Sequence, residues 1–213
     1  MSARGPAART LELDDDYPAI NELYVERGWT DGLPIIPPTE GRVAEFLRQT
    51  SRDRREVVAV LPPRQGEATI EKLAINAVMA GCRPEYFPVL LAAVEAVSQP
   101  PFNLDAVQAT THPVTPLLIV NGPIAKEIGL NGSYNAFGQG FRPNMTIGRA
   151  LRLVLMNVGG GLPGSGDRSA VVMADPSPRK PCPFETFRRD SASVGCDITA
   201  RITSTLTCDV REF

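Results

Sequence analysis

Histidine is almost missing from this chain, with one residue in 213 beside four cysteines and an aromatic set of eight Phe, four Tyr and one Trp. That scarcity leaves little material for a multi-histidine metal centre or for the aromatic platform on which single-stranded nucleic acid stacks. A strong charge of either sign is also lacking. The 22 Lys plus Arg nearly balance the 24 Asp plus Glu, and a formal charge of -2 argues against a nucleic-acid groove or attraction to an anionic membrane. Uninterrupted apolar runs of the roughly 18 to 20 residues that a membrane span needs are absent. The stretch Met1 to Asp16 has no apolar h-region and ends in Asp14, Asp15 and Asp16, so it does not read as a signal peptide, and a cytoplasmic location is expected. There Cys82, Cys182, Cys196 and Cys208 are expected as reduced thiols. Their wide spacing contains no Cys-x-x-Cys pair, and no metal site is predicted.

What the chain has in excess is 20 Pro and 18 Gly, and these punctuate it. Residues 1–16 read as a flexible lead. A short amphipathic helix follows, with Pro18 in its first turn and Gly28 ending it. Leu33 to Ile36 is a buried-strand candidate stopped by Pro37 and Pro38. Thr39 then caps a helix presenting Val43, Phe46 and Leu47. Val57 to Leu61 reads as a strand, Ile70 to Val78 as a helical stripe closed by Gly81, and Pro84 to Val97 as a helix closed by Pro100 and Pro101. Leu117 to Val120 is a third strand, and Asn144 to Val158 is the longest amphipathic helix, with Arg149 and Arg152 opposite its apolar stripe. Strands alternating with helices predict an α/β or α+β layered domain over residues 17–163, and no internal repeat is present. Residues 164–213, rich in Pro, Gly, Ser and Arg, are expected to form a loosely packed tail. An apolar patch at Ala170 to Ala174 interrupts it, and Asp197 to Val210 has an edge-strand pattern.

Cys82, in Ala80-Gly81-Cys82-Arg83-Pro84, is placed near the N-terminus of the helix that Pro84 opens, where a thiolate is favoured. The competing reading is an inert buried thiol at a helix junction. His112 sits in a loop ahead of a strand, either as an acid or base or as a hydrogen-bonded structural residue. The segment Asn121 to Asn144 concentrates polar ligand-type residues, among them Asn121, Tyr134, Asn135, Arg142 and Asn144. They lead into the N-terminus of the longest helix, whose N–H groups and Arg142 suit an anionic group. The same Gly and Asn residues equally suit a loop that needs left-handed backbone. Gly159 to Ser169 (GGGLPGSGDRS) lacks the lysine and the strand-to-helix context of a phosphate loop and reads as a helix terminator with a flexible connection. Glu71, Lys72 and Asn76 read as a solvated helix face, with a pocket role as the lesser alternative.

Four phrases, ERGWTDGLPIIPP (26–38), GEATIEKLAINAVMAGCRP (66–84), QATTHPVTPLLIVNGPIAKE (108–127) and YNAFGQGFRPNMTIGRALRLVLMNVGGG (134–161), together resemble the downstream domain of the UGSC family of bacterial (seleno)proteins. The resemblance covers about residues 17–163. It implies a thiol or selenol redox setting, in which the domain acts alone or with a separate thioredoxin-like partner, because the family is named for a Sec-Gly-Ser-Cys motif in a thioredoxin-like segment upstream. That motif is absent here in both its Sec and Cys forms. Past Gly161 the resemblance stops, which a truncation or reading-frame change would explain. Three readings follow. One is a thiol-dependent reductase or lyase acting on a small molecule, with Cys82 as nucleophile, His112 as proton-transfer group and Asn121, Tyr134, Asn135, Arg142 and Asn144 orienting the ligand. Another is a non-catalytic ligand- or partner-binding domain that docks on a thioredoxin-like protein. The third is a truncated, inactive relative. No cofactor is specified by any of them.

Overall fold

The computed structural model describes residues 8–109 and 115–162 and the strand at 171–174. Its mixed α/β fold is built from helices around two short pairs of strands. Asp16 caps α1 (Tyr17–Glu26) by accepting from the Ala19 N–H, and Thr39 caps α2 (Glu40–Leu47) by accepting from the Arg42 N–H. An antiparallel hairpin, β1 (Val57–Leu61) and β2 (Gly66–Thr69), leads directly into α3 (Ile70–Ala80). Thr69 caps α3, and Gly81 ends it in the left-handed conformation at φ 85°, the region where a Cβ is costly. A 3-10 turn, Pro84–Tyr86, precedes α4 (Phe87–Val97). After it come α5 (Leu104–Ala109), β3 (Leu117–Val120), α6 (Pro123–Glu127) and α7 (Arg142–Asn157). Finally β4 (Val171–Ala174), inside the stretch read as tail, pairs parallel with β3 from Leu117 opposite Val171 to Val120 opposite Ala174.

Helix α4 is apolar nearly all round and runs through the middle of the core, as a helix without a polar face must. Phe87 is fully buried and meets Phe46 of α2 edge to face at 5.8 Å. Helix α7 packs mainly on α3, with Leu73, Ala74 and Ala77 on one side of the seam and Ile147, Ala150, Leu151 and Val154 on the other, all of them essentially without exposed surface.

Several expectations are corrected. Leu33–Ile36 is not a strand. Only Ile35 is buried, while Leu33 and Ile36 face solvent, because the segment's backbone bonds to α3 and to side chains: Ile36 N–H donates to the Met79 carbonyl and Ile35 N–H to Asn21 Oδ1. Glu71 and Asn76 are not a solvated face. Both are buried, Glu71 as the ion-pair partner of Arg54 and Asn76 as the acceptor of a 2.8 Å bond from Asn157 Nδ2, which also donates to the Trp29 carbonyl. Arg152 is likewise buried and donates to the Gly161 carbonyl at 3.0 Å. The short helices α5 and α6 go unread in the sequence.

Gly159–Gly161 end α7 as the sequence reading has it, and they are packed there. Gly159, Gly160 and Gly161 are buried where the C-terminal end of α7 meets the β1–β2 turn and α5. Arg64 N–H donates to the Gly159 carbonyl at 2.9 Å. A Cβ on Gly159 would lie 2.6 Å from the Pro62 carbonyl oxygen, and one on Gly161 would lie 2.3 Å from Gln108 Oε1. Across the same seam, a Cβ on Gly66 would meet the Val158 carbonyl oxygen at 1.9 Å. Gly66 and Gly159 are therefore close-approach positions between backbones, and Gly161 lies against the Gln108 side chain.

Candidate functional site

Segments 26–38, 66–84 and 134–161 meet at the N-terminal half of α7. Arg149, on the second turn of α7, reaches back 118 residues to Asp31 and binds it with two nitrogens, Nε to Oδ2 at 2.9 Å and Nη2 to Oδ1 at 2.8 Å. The same Nη2 also contacts the Leu33 and Pro34 carbonyls at 3.2 and 2.9 Å. Thr30 closes the turn from inside, its hydroxyl donating to the Leu33 carbonyl at 2.6 Å. Burial acts to raise the Asp31 carboxyl, but hydrogen bonds and charge from Arg149, with the Leu33 N–H and Thr30 hydroxyl, outweigh it and hold Asp31 below the usual carboxylate range. Asp31 and Arg149 are thus the central polar pair of this corner, which sequence reasoning passed over. The signal was an aspartate in a Thr-Asp-Gly turn and an arginine on an amphipathic helix, but nothing in the spacing links them.

Arg142, at the first position of α7, donates from Nε to the Gly81 carbonyl at 2.9 Å, which ties the helix start to the turn carrying Cys82. Cys82 itself is buried, and its Sγ donates to the Thr146 carbonyl at 3.3 Å. Burial pushes the thiol up to about 12, against the smaller opposing pull of the Thr146 bond and of the Arg142 and Arg149 charges. Of the two readings of this turn, this environment favours the buried, protonated thiol over the thiolate. An enzyme using Cys82 would first have to break the bond to Thr146 and admit solvent.

With a shift of this size, Cys82 should be alkylated far more slowly than an unfolded thiol. At pH 8 the fraction of thiolate is lower by roughly a thousandfold, before access is counted. In a chain with Cys182, Cys196 and Cys208 replaced by serine, iodoacetamide should leave Cys82 unmodified until denaturant is added, as read by peptide mass. Rapid native labelling would overturn this placement. Because the folded thiol titrates above the unfolded one, its contribution is complete below pH 9 and is lost as pH rises from there towards 12.

The loop from Leu130 to Phe141 is held by its own asparagines. Asn144, buried on α7, accepts from the Asn131 N–H at 2.9 Å and donates to the Asn131 and Ala136 carbonyls at 2.8 and 3.1 Å. Asn131 Nδ2 donates to the Tyr134 carbonyl, and Asn135, in the left-handed region at φ 61°, donates to the Gln139 carbonyl. Asn131, Asn135 and Asn144 thus shape the loop. The side chains this leaves outside are large and apolar: Tyr134 is 94% exposed, Phe137 59%, Met145 50% and Phe141 37%.

The remaining candidates separate from this corner. Asn121 is exposed at the end of β3, where its Oδ1 accepts from the Gly122 N–H. His112, Cys182, Cys196, Cys208 and the pattern at 197–210 lie outside the described residues. A basin of about 540 Å³ between the end of α2 and the start of α4 is lined by Arg48, Thr50, Ser51, Arg52, Pro88 and Leu91 and contains none of the candidates. Arg52 there is bridged to both Glu56 and Glu95, which neutralises its charge. Among the described residues no helix is long and apolar enough to cross a membrane, and no group of three His, Cys, Asp or Glu is placed to hold a metal ion. No family model, curated protein or solved structure matches the chain.

Proposed function

We propose that this chain is a binding domain that docks on a partner protein through the 130–145 surface, rather than an enzyme acting through Cys82. The observation that carries this reading is the cluster Tyr134, Phe137, Phe141 and Met145, four large apolar side chains exposed within twelve residues, on a loop held by internal hydrogen bonds and on the first turn of α7. Exposed apolar groups gathered this closely are characteristic of interaction surfaces, and aromatic anchors supply much of the affinity at such surfaces. The family resemblance makes a thioredoxin-like protein the first partner to try. Thiol chemistry at Cys82 with His112 as proton-transfer group is the competing reading, and the burial of Cys82 weighs against it.

Surface-immobilised chain titrated with a purified, reduced thioredoxin tests the docking. Binding is expected to weaken at least about tenfold in a Tyr134→Ser, Phe137→Ser double variant whose thermal melt is unchanged. Cys82→Ala should bind as the wild type does. Unchanged binding by the double variant refutes docking through the loop, and absence of any binding to thioredoxin removes that partner.

A further inference from the structure

The aromatic loop stands in a stretch with no acidic side chain. Between Glu127 and Asp167 the charged residues are Arg142, Arg149 and Arg152. Arg149 is neutralised by Asp31, and Arg152 is buried. Arg142 is exposed, holds the Gly81 carbonyl through Nε alone, and forms no salt bridge among the described residues. Phe141 and Met145 lie one helical turn apart, on the face that Arg142 borders. The surface therefore offers a cation beside an apolar strip, in a chain whose overall balance is slightly acidic.

The complementary element lies elsewhere on the same chain. Residues 9–17 read RTLELDDDY, with Glu12, Asp14, Asp15 and Asp16 set against Arg9. Every one of these residues is exposed, including Leu11 at 46%, Leu13 at 48% and Tyr17 at 51%. The segment precedes the first helix and is tied at its start by the Ala8 N–H donating to Glu71 Oε2 at 3.0 Å, and at its end by α1. Its two leucines, each about half exposed, stand at alternate positions, and in an extended run such positions share one side; the aspartates follow directly.

We propose that the 130–145 surface accepts residues 9–17 of a second copy of this chain, Leu11 and Leu13 against Phe137, Phe141 and Met145, and the Asp14–Asp16 carboxylates against Arg142. The docking reading above is the basis for this, and the occupant is what is added. Donor and acceptor segments differ, so two chains that exchange segments reciprocally close an isologous dimer, whereas one-way contacts run head-to-tail into an open chain.

A fluorescent peptide of residues 8–18 titrated with the full chain, together with sedimentation velocity of the full chain alone, tests the proposal. The peptide is expected to bind, and Leu11→Ser with Leu13→Ser in the peptide should weaken it by about tenfold or more. Arg142→Glu in the chain should weaken it comparably, as should a rise in ionic strength from about 0.05 to 0.5 M. Phe141→Ser with Met145→Ser, checked by thermal melt, guards against misfolding of Arg142→Glu. The full chain should self-associate with rising concentration, and the same substitutions should abolish this. A chain that stays monomeric up to about 100 µM with no peptide binding overturns the proposal. Self-association that persists while the peptide fails to bind also overturns it, since the contact then lies elsewhere. Thioredoxin binding that survives either outcome leaves the docking reading intact, whereas loss of nothing in the Tyr134→Ser, Phe137→Ser variant removes both.

Discussion

Gly66→Ala is expected to destabilise the fold by about 3 kcal/mol or more, lowering the melting temperature by roughly 6–12 °C. The new Cβ would stand 1.9 Å from the Val158 carbonyl oxygen, and the contact is backbone to backbone, so no side chain can swing aside to relieve it. Relief requires the β1–β2 hairpin to part from the end of α7, with loss of the Arg64 N–H bond to Gly159. Gly41→Ala in α2 is the matched control. Nothing lies within 4 Å of its Cβ, and a helical alanine should leave stability unchanged or raise it by up to about 1 kcal/mol. If the two variants melt within about 2 °C of each other, the seam is not the close contact described.

Arg149→Met should cost about 2–4 kcal/mol, measured by chemical denaturation at pH 7, because it strips Asp31 of a bidentate partner and frees two carbonyls. The pH dependence gives the sharper test. Asp31 titrates lower in the fold than in the unfolded chain, so its contribution is present above the ordinary carboxylate pKa and is lost as pH falls through the folded value. The stability gap between wild type and Arg149→Met should therefore narrow below about pH 4. A gap that stays constant from pH 7 to pH 3 would mean that Arg149 contributes packing rather than charge.

The parts of this fold that are legible in the sequence are those fixed by neighbouring residues. Pro18 and Thr39 at helix starts, Gly81 at a helix end and the apolar stripe of α7 each act within a turn or two, and each is where the pattern puts it. The misread parts are fixed from a distance. Leu33–Ile36 has the composition of a strand, but its bonding partners are Met79, Asn21 and Arg149. Glu71 and Asn76 look like surface residues because their partners, Arg54 and Asn157, lie 17 and 81 positions away. The Gly159–Gly161 run offered two local meanings, and the third, close approach to Pro62 and Gln108, follows only from the tertiary arrangement. Within the site, the polar residues between Asn121 and Asn144 drew attention as ligand groups. Asn131, Asn135 and Asn144 turn out to satisfy one another's loop, and the aromatic side chains between them face solvent.

That internal bonding bears on how firmly the loop can grip anything. A flexible loop loses conformational entropy when it docks, at about 1–2 kcal/mol per backbone residue ordered, which offsets much of what its aromatic side chains bury. Here Asn131 and Asn144 bridge the two ends of the segment, and Asn135 fixes its tip before any partner arrives. The ordering cost is met during folding, so the area covered by a partner translates into affinity with less subtracted from it. The asparagines thereby set the strength of a contact in which their own side chains take no part.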